Sequence, residues 1–220
     1  MAGINGLSNK DNYNMSLYGK IASGNKLQKA ADGAADMAIA QKMETQIRTQ
    51  EQLAQNAAMD QAYQNIKDSG LSGMVDYAQS ISELSIRQMN GTMSADDKLA
   101  IQNQIDQYSA GMSDITNQTK YNESYVLKGY NPTGSPSDMI GQITSTRSDV
   151  GAKTNGIEHS LRANQISTEN TTAAKSRIAD TDVAKASMQL KKNQVLRDYQ
   201  TMMQKRQQDD KKKQAAGIFM

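Results

Sequence analysis

Between Met59 and Leu84 the residues Met59, Tyr63, Ile66, Gly70, Met74, Tyr77, Ile81 and Leu84 follow one another in steps of three or four. That spacing holds one stripe on one face of a helix, and alternating threes and fours suit a coiled-coil seam. From Ala40 to Met89 there is no proline, and apart from Gly70 and Gly73 most residues are good helix formers. A single helix from Ile47 to Met89 would measure roughly 65 Å at 1.5 Å per residue, longer than a small compact domain requires. Such a helix needs partner helices along its length, so the stretch predicts a rod rather than a globule.

Composition agrees. Only 37% of the 220 residues are hydrophobic, with one Phe and no Trp, and the mean hydropathy is −0.72. A thick globular core uses more aromatic residues than this, whereas a core one side chain deep does not need them. Disorder is the bland competitor, and the apolar periodicity argues against it. The net charge of +2 carries no partner signal, and no basic stripe with interleaved aromatics points to nucleic acid. With no cysteine, a disulfide framework and a thiolate metal site are out. No run approaches the roughly 18 apolar residues of a membrane span, and Met1–Leu7 lacks the apolar core of a cleavable signal peptide. If the protein leaves the cell, it does so on this reading by a route that cleaves nothing.

In chain order, residues 1–19 read as a mobile start passing into a weak amphipathic helix that breaks at Ser23-Gly24-Asn25. Ala30–Gly33 makes a second irregular step before the long helix, and Asn90-Gly91-Thr92 ends it with a left-handed turn. Ser94, followed by Asp96 and Asp97, caps a new helix at 95–118 that folds back antiparallel. It carries Ile101, Ile105, Tyr108, Met112 and Ile115 in a four-three-four-three repeat. Tyr125-Val126-Leu127 is a short apolar piece of strand character, giving a minimal β element at 121–130. Both prolines, Pro132 and Pro136, fall in the loop 129–137, the clearest boundary. A third helix from about 138 to 192 bears Ile140, Ile143, Val150, Ile157, Leu161 and Ile178. Its seam is interrupted by Asn164, Thr168 and Thr171, so leucine at all three would raise the melting temperature if they face inward. The tail from Asn193 is polar, ending in Asp209–Lys213 and Ile218-Phe219-Met220. Residues 1–30 and 193–220 are therefore expected as mobile terminal segments, and 31–192 as one rod domain.

The stretches Lys20–Gly24, Ala31–Ala40, Gln46-Ile47-Arg48 and Asn56-Ala57 resemble the N-terminal signature of bacterial flagellins. The same register continues through Glu83-Leu84, Asn90-Gly91-Thr92, Ala100-Ile101-Gln102 and Asn117–Asn122. Beyond the prolines, Arg147–Ala152 and Ser176–Asp182 are similar to the C-terminal signature of that family. The paired occurrence, in the right order, is highly specific. The resemblance implies an all-α, antiparallel helical rod whose two chain ends return to one base. That base forms the inner tube of a filament, and the rod packs into its outer tube. It also implies assembly with copies of itself or other flagellins, and handling by a flagellar export apparatus and an export chaperone. No cofactor or metal is implied. The family's variable outer domains are missing, the N-terminus reads several residues short, and the tail has lost much of its apolar repeat. The family segment contacted by the animal toll-like receptor corresponds to Gln79–Gln88. Glu83 and Leu84 fit it, but Ser80 and Ser82 stand where arginine is usual, and Arg87 where glutamine is. Weak recognition through Ser80, Glu83, Leu84 and Arg87 is the expectation.

Catalytic readings fare poorly. His159 is the only histidine, which removes histidine–zinc clusters and histidine-based triads. Asp32/Asp36 and Asp180/Asp182 read better as caps, turns or surface charges than as carboxylate pairs, and Lys211–Lys213 as a solvated run. The residues expected to do the work are packing residues: Met59, Tyr63, Ile66, Met74, Tyr77, Ile81 and Leu84 on the first helix, Ile101, Ile105, Tyr108, Met112 and Ile115 on the second, and Val150, Ile157 and Leu161 on the third. The expected function is a structural flagellar subunit for motility. Its rivals are a minor, junction or non-polymerising paralogue and, from another class, a cytoplasmic coiled-coil signalling protein.

Overall fold

The computed structural model describes residues 2–218, with side chains described over 12–214. Five helices carry the described fold: α1 Ala2–Ser23, α2 Ala34–Gln88, α3 Ala95–Gln118, α4 Pro136–Ala179 and α5 Val183–Ile218. A 3-10 turn covers Ala30–Asp32, and β1 Lys120–Tyr121 pairs antiparallel with β2 Ser124–Tyr125. The all-α reading holds, and α3 has the bounds expected for it. The chain divides into two compact units, residues 48–168 and residues 1–47 with 169–220. The division falls inside the stretch 31–192 that the sequence reads as one domain, and α2 and α4 each pass from one unit into the other.

In the 48–168 unit, α2, α3 and α4 enclose a core of Leu71, Met74, Ala78, Ile81, Met112, Leu127, Ile143 and Val150. Leu71, Met74, Leu127 and Ile143 are fully buried, each contributing roughly 1.5–3 kcal/mol of transfer free energy. Helices approach closely where a side chain is missing. A Cβ on Gly70 would stand 2.8 Å from Leu127 Cδ1 and 3.0 Å from Thr119 Oγ1. One on Gly111 would meet the Tyr77 ring at 2.9 Å. Tyr77 packs tilted on Tyr108 at 5.7 Å, and Tyr63 meets Tyr121 edge-on at 6.0 Å.

Both helix starts in this unit are capped by their own sequence. Ser94 Oγ accepts from the Asp97 amide at 3.1 Å while Asp97 accepts from the Ser94 amide, a reciprocal capping box. Ser135 and Asp138 repeat the arrangement at α4, with Pro136 in the first helical position, where its fixed φ suits the turn. The Ser135 hydrogen bonds hold the Asp138 carboxyl below its ordinary value. The α2–α3 connection corrects the expected left-handed turn at Asn90-Gly91: neither residue has a positive φ. Instead Asn90 Oδ1 accepts from the Thr92 amide and hydroxyl, so a side chain does what a glycine was expected to do. The left-handed pair lies at Asn122 and Glu123, φ 46° and 66°, forming the two-residue turn of the β hairpin.

Polar rungs tie α2 to α4. Gln50 donates to Ser167 Oγ at 2.5 Å and accepts from Thr168 Oγ1 at 3.2 Å; Gln61 donates to Glu158 at 3.2 Å. Arg147 spans Asp68 with both nitrogens, at 2.8 and 3.1 Å. These partners run in opposite order along the two helices, as antiparallel pairing requires. Asn164, Thr168 and Thr171 are half-buried, but Thr168 is a bonded member of this ladder. Leucine there would strand the Gln50 oxygen, so the stabilisation expected from that replacement is offset by a lost hydrogen bond.

The other unit corrects the helix expected over 138–192. That helix stops at Ala179, because the chain beside it takes over its backbone groups. Lys26 N donates to Ala179 O at 2.8 Å, and Thr181 N donates to Gly24 O at 2.7 Å. Gly24 has φ 69°, a conformation natural to glycine. Asp182 then accepts from the Lys185 amide at 2.9 Å and starts α5. Leu27, Ala40 and Ala179 are buried together, with Met37 and Ile178 against them. Lys175 pairs with Glu44. Asp32 accepts from Lys20 Nζ at 2.6 Å and from the Gln28 and Lys29 amides; the Lys20 bond is the chief reason its carboxyl lies below the ordinary value.

Gly70→Ala should lower stability by about 1 kcal/mol, since overpacking exceeds the gain in helix propensity. Gly156→Ala, with nothing within 4 Å of its Cβ, should instead raise stability by about 0.5–1 kcal/mol; chemical denaturation reads both signs. Hydrogen bonding to Arg147 holds the Asp68 carboxyl below its ordinary value. A lowered folded value means a contribution fully present above the unfolded pKa and lost as pH falls through the folded one. Asp68→Asn should therefore flatten the stability curve at acidic pH, and added salt should shrink the difference because both side chains are partly exposed.

Candidate functional site

The described side chains leave eighteen large hydrophobic residues exposed, and their distribution is uneven. Three lie on α1 (Tyr13, Met15, Tyr18) and seven on α5 (Val183, Met188, Val195, Leu196, Tyr199, Met202, Met203). On α5, Met188, Val195, Tyr199 and Met202 are spaced by seven, four and three, which places them in one line along the helix. Their exposures of 66, 67, 58 and 59% show that nothing within the unit covers that line. Ala186, Leu190, Asn193 and Arg197, spaced by four, three and four, form the opposite face, and these are buried or half-buried.

The covered face of α5 lies on α1. Leu17 and Leu190 are buried, and Asn193 donates to Asn14 Oδ1 at 3.0 Å, with Asn14 6% exposed. Gln194 reaches Tyr18 Oη at 2.7 Å. A buried amide pair is satisfied only when both amides meet, so it fixes the register of the two helices more than it adds to their stability. Each terminal helix thus buries a narrow stripe against the other and shows a second apolar surface outward. From Asp198 to Gln214 every side chain of α5 is exposed.

The packing residues read from sequence divide by depth. Met74, Ile81, Leu84, Ile101, Met112 and Val150 are buried; Tyr63, Ile66, Tyr77, Ile105, Tyr108, Ile115, Ile157 and Leu161 are half-buried. Met59 is the exception, at 51% exposed. It lies before the level at which Tyr121 reaches Tyr63, so α3 does not extend over it. Spacing alone did not identify Leu71 and Ala78, both at 0% exposure. They continue a three-four rhythm with Met74 and Ile81, and an alanine in an apolar stripe is easily passed over.

On the segment 79–88, Glu83 and Arg87 are exposed, whereas Leu84 is 8% exposed and belongs to the packing seam. Ser80 Oγ donates to the Asp76 carbonyl at 3.0 Å, turned back on its own helix. Of the aspartates weighed as carboxylate pairs, Asp32 and Asp182 accept from backbone amides at turns and helix starts, Asp180 accepts from Ser176 Oγ, and Asp36 lies in the first turn of α2. Among the described residues no group of three or more His, Asp or Glu is placed to hold a metal ion. No described helix is long and apolar enough to cross a membrane.

Residues 3–132 match the family model of the bacterial flagellin N-terminal helical region, and residues 137–212 that of the C-terminal helical region. The boundary between the matches is the proline loop. The chain is 26% identical to the flagellar filament 33 kDa core protein of Treponema phagedenis, over 80% of this chain and 82% of that protein. Flagellin FlaB2 of Treponema pallidum (strain Nichols) is also 26% identical, with the same coverage. The flagellin of Bacillus subtilis (strain 168) is 24% identical over 88% of both chains. With its open helical faces, its self-capped helices and both halves matched in order, the chain belongs to the bacterial flagellin family, a family of structural proteins.

Proposed function

We propose that the protein is a structural subunit of the flagellar filament and adds to its neighbours through the uncovered faces of α1 and α5. The observation that carries this reading is the line Met188, Val195, Tyr199 and Met202, solvent-facing on a helix whose opposite side is already packed. The names of its relatives as filament core proteins and flagellins support the reading. Burying such lines between copies supplies the association energy, while the polar groups between them set register. The subunit is extracellular when assembled, and a flagellar export apparatus with an export chaperone delivers it. Nothing in the fold favours a signalling hairpin or a non-polymerising paralogue.

Val195→Lys together with Met202→Lys tests the reading. Neither side chain has a packing role within the unit, so the melting curve of the free subunit should not move. Desolvating two unpaired ammonium groups should raise the concentration needed for polymerisation by about 100-fold or more. Negative-stain microscopy under salting-out conditions measures it, and filaments of normal length from the double variant would refute the assignment.

Recognition by the animal flagellin receptor is proposed to be weak. Ser80 is bonded to its own helix and Leu84 is withdrawn into the core, which leaves Glu83 and Arg87 as the exposed side chains of the four. Arginine introduced at positions 80 and 82 should increase reporter-cell activation, and strong activation by the unmodified protein would overturn this.

A further inference from the structure

Among the described methionines two groups stand at opposite extremes of exposure. Met74 and Met112 are sealed in the core of the 48–168 unit, at 1 and 6% exposure. Met15, Met188 and Met202 are open to solvent at 72, 66 and 59%, and all three lie on the terminal helices α1 and α5. Met188 and Met202 are two of the four members of the uncovered α5 line. Met89, the most exposed of the described methionines at 83%, belongs to the 48–168 unit, at the turn after α2.

A thioether in contact with water is a substrate for peroxide. The sulfur gives an electron pair to one peroxide oxygen, an S–O bond forms as the O–O bond breaks, and water leaves. The sulfur is oxidised by two electrons and the peroxide is reduced by two, with no other reactant required. The product is a polar sulfoxide in place of a flexible apolar side chain, and methionine sulfoxide reductases reverse it. On an isolated exposed helix face this change is nearly neutral, since both forms are hydrated there. On a face that must be dehydrated against a neighbour it is not, because the sulfoxide oxygen loses its water and gains no partner.

We propose that Met15, Met188 and Met202 form an oxidation-sensitive assembly surface: peroxide converts them to sulfoxides in the free subunit and so prevents its addition to a filament. This rests on the assignment of the α1 and α5 faces to assembly. The consequence is one-directional in time. A subunit is sensitive before incorporation and shielded afterwards, because the same burial that makes the sulfoxide costly keeps peroxide away from the thioether.

The test uses the full, unmodified chain. Soluble subunit is treated with dilute hydrogen peroxide until about half of the exposed methionines are oxidised, quenched, and polymerised by salting out. Peptide mass mapping then compares the pelleted filaments with the soluble remainder. Sulfoxide at Met15, Met188 and Met202 should be about tenfold scarcer in the pellet, Met89 sulfoxide should divide evenly, and Met74 and Met112 should stay unoxidised. Treatment with methionine sulfoxide reductase should return the soluble remainder to polymerising form. Even partition of the three sulfoxides overturns the proposal, as does equal depletion of Met89 sulfoxide or failure of the reductase to restore assembly. The Val195→Lys, Met202→Lys variant, left unoxidised, separates the causes. If it fails to polymerise while sulfoxides partition evenly, the faces stand and their oxidation sensitivity does not. If it polymerises normally, the assignment of the faces is what has failed. As a further check, Met15→Leu/Met188→Leu/Met202→Leu should polymerise equally well before and after peroxide; loss of polymerisation after treatment would place the sensitive site elsewhere and overturn the proposal.

Discussion

A helix that is apolar on one narrow stripe can be covered only by something laid along it, and this constraint governs the 48–168 unit. Leu71, Met74, Ala78 and Ile81 of α2 are shielded along their whole run because α3 and α4 lie lengthwise beside them. Close approach depends on glycines at the contacts. Gly70 admits Leu127 and Thr119, and Gly111 admits the Tyr77 ring. Among the described residues the large side chains that are fully buried are Leu71, Met74, Leu127 and Ile143, a thin core, and the polar rungs from Gln50 to Arg147 then determine which residue faces which. Aliphatic stripes alone slide at small cost; bonded pairs such as Thr168 with Gln50 do not.

Much of this was legible in the sequence, for identifiable reasons. The bounds of α3 could be read because its start is written locally, in Ser94 and Asp97, and its end is fixed by a turn. The seam from Tyr63 to Leu84 was legible because period-3.6 patterning survives wherever one face is dry. The break at 180–182 was legible as a turn or surface element at Asp180 and Asp182, but not as the end of a helix. It depends on Gly24 and Lys26, more than 150 residues earlier, satisfying the carbonyl and amide that a continuing helix would have used. No local signal encodes a partner that distant. The turn at Asn90-Gly91 failed differently: the residues suit a left-handed turn, yet the Asn90 side chain accepts from Thr92 and the Met89 and Asn90 amides meet the last carbonyls without one.

The candidate assembly surface was the least legible part. The polar C-terminal sequence, its apolar residues diluted by Lys, Gln and Asp, gives no strong stripe to the eye. Met188, Val195, Tyr199 and Met202 become a line only once α5 is known to be continuous and Leu190 is known to face α1. Sequence reasoning concentrated on residues that pack inside the subunit. The residues left over after that packing is satisfied are the ones available to a neighbour, and identifying them requires knowing what is already covered.

The loop before α4 has a consequence of its own. Ser135, Pro136 and Asp138 begin that helix with their own capping groups, while Gln142 donates to the Thr133 carbonyl and Thr116 and Thr146 donate to Tyr130, so the loop is tied to both helices as far as Thr133. Pro132 is buried, but Thr133 and Gly134 are exposed. This is a splice site in mechanical terms: a foreign segment grafted between residues 133 and 134 would be displayed from the subunit while the helices that carry the core stay in register, making the filament a scaffold with one cargo position per copy.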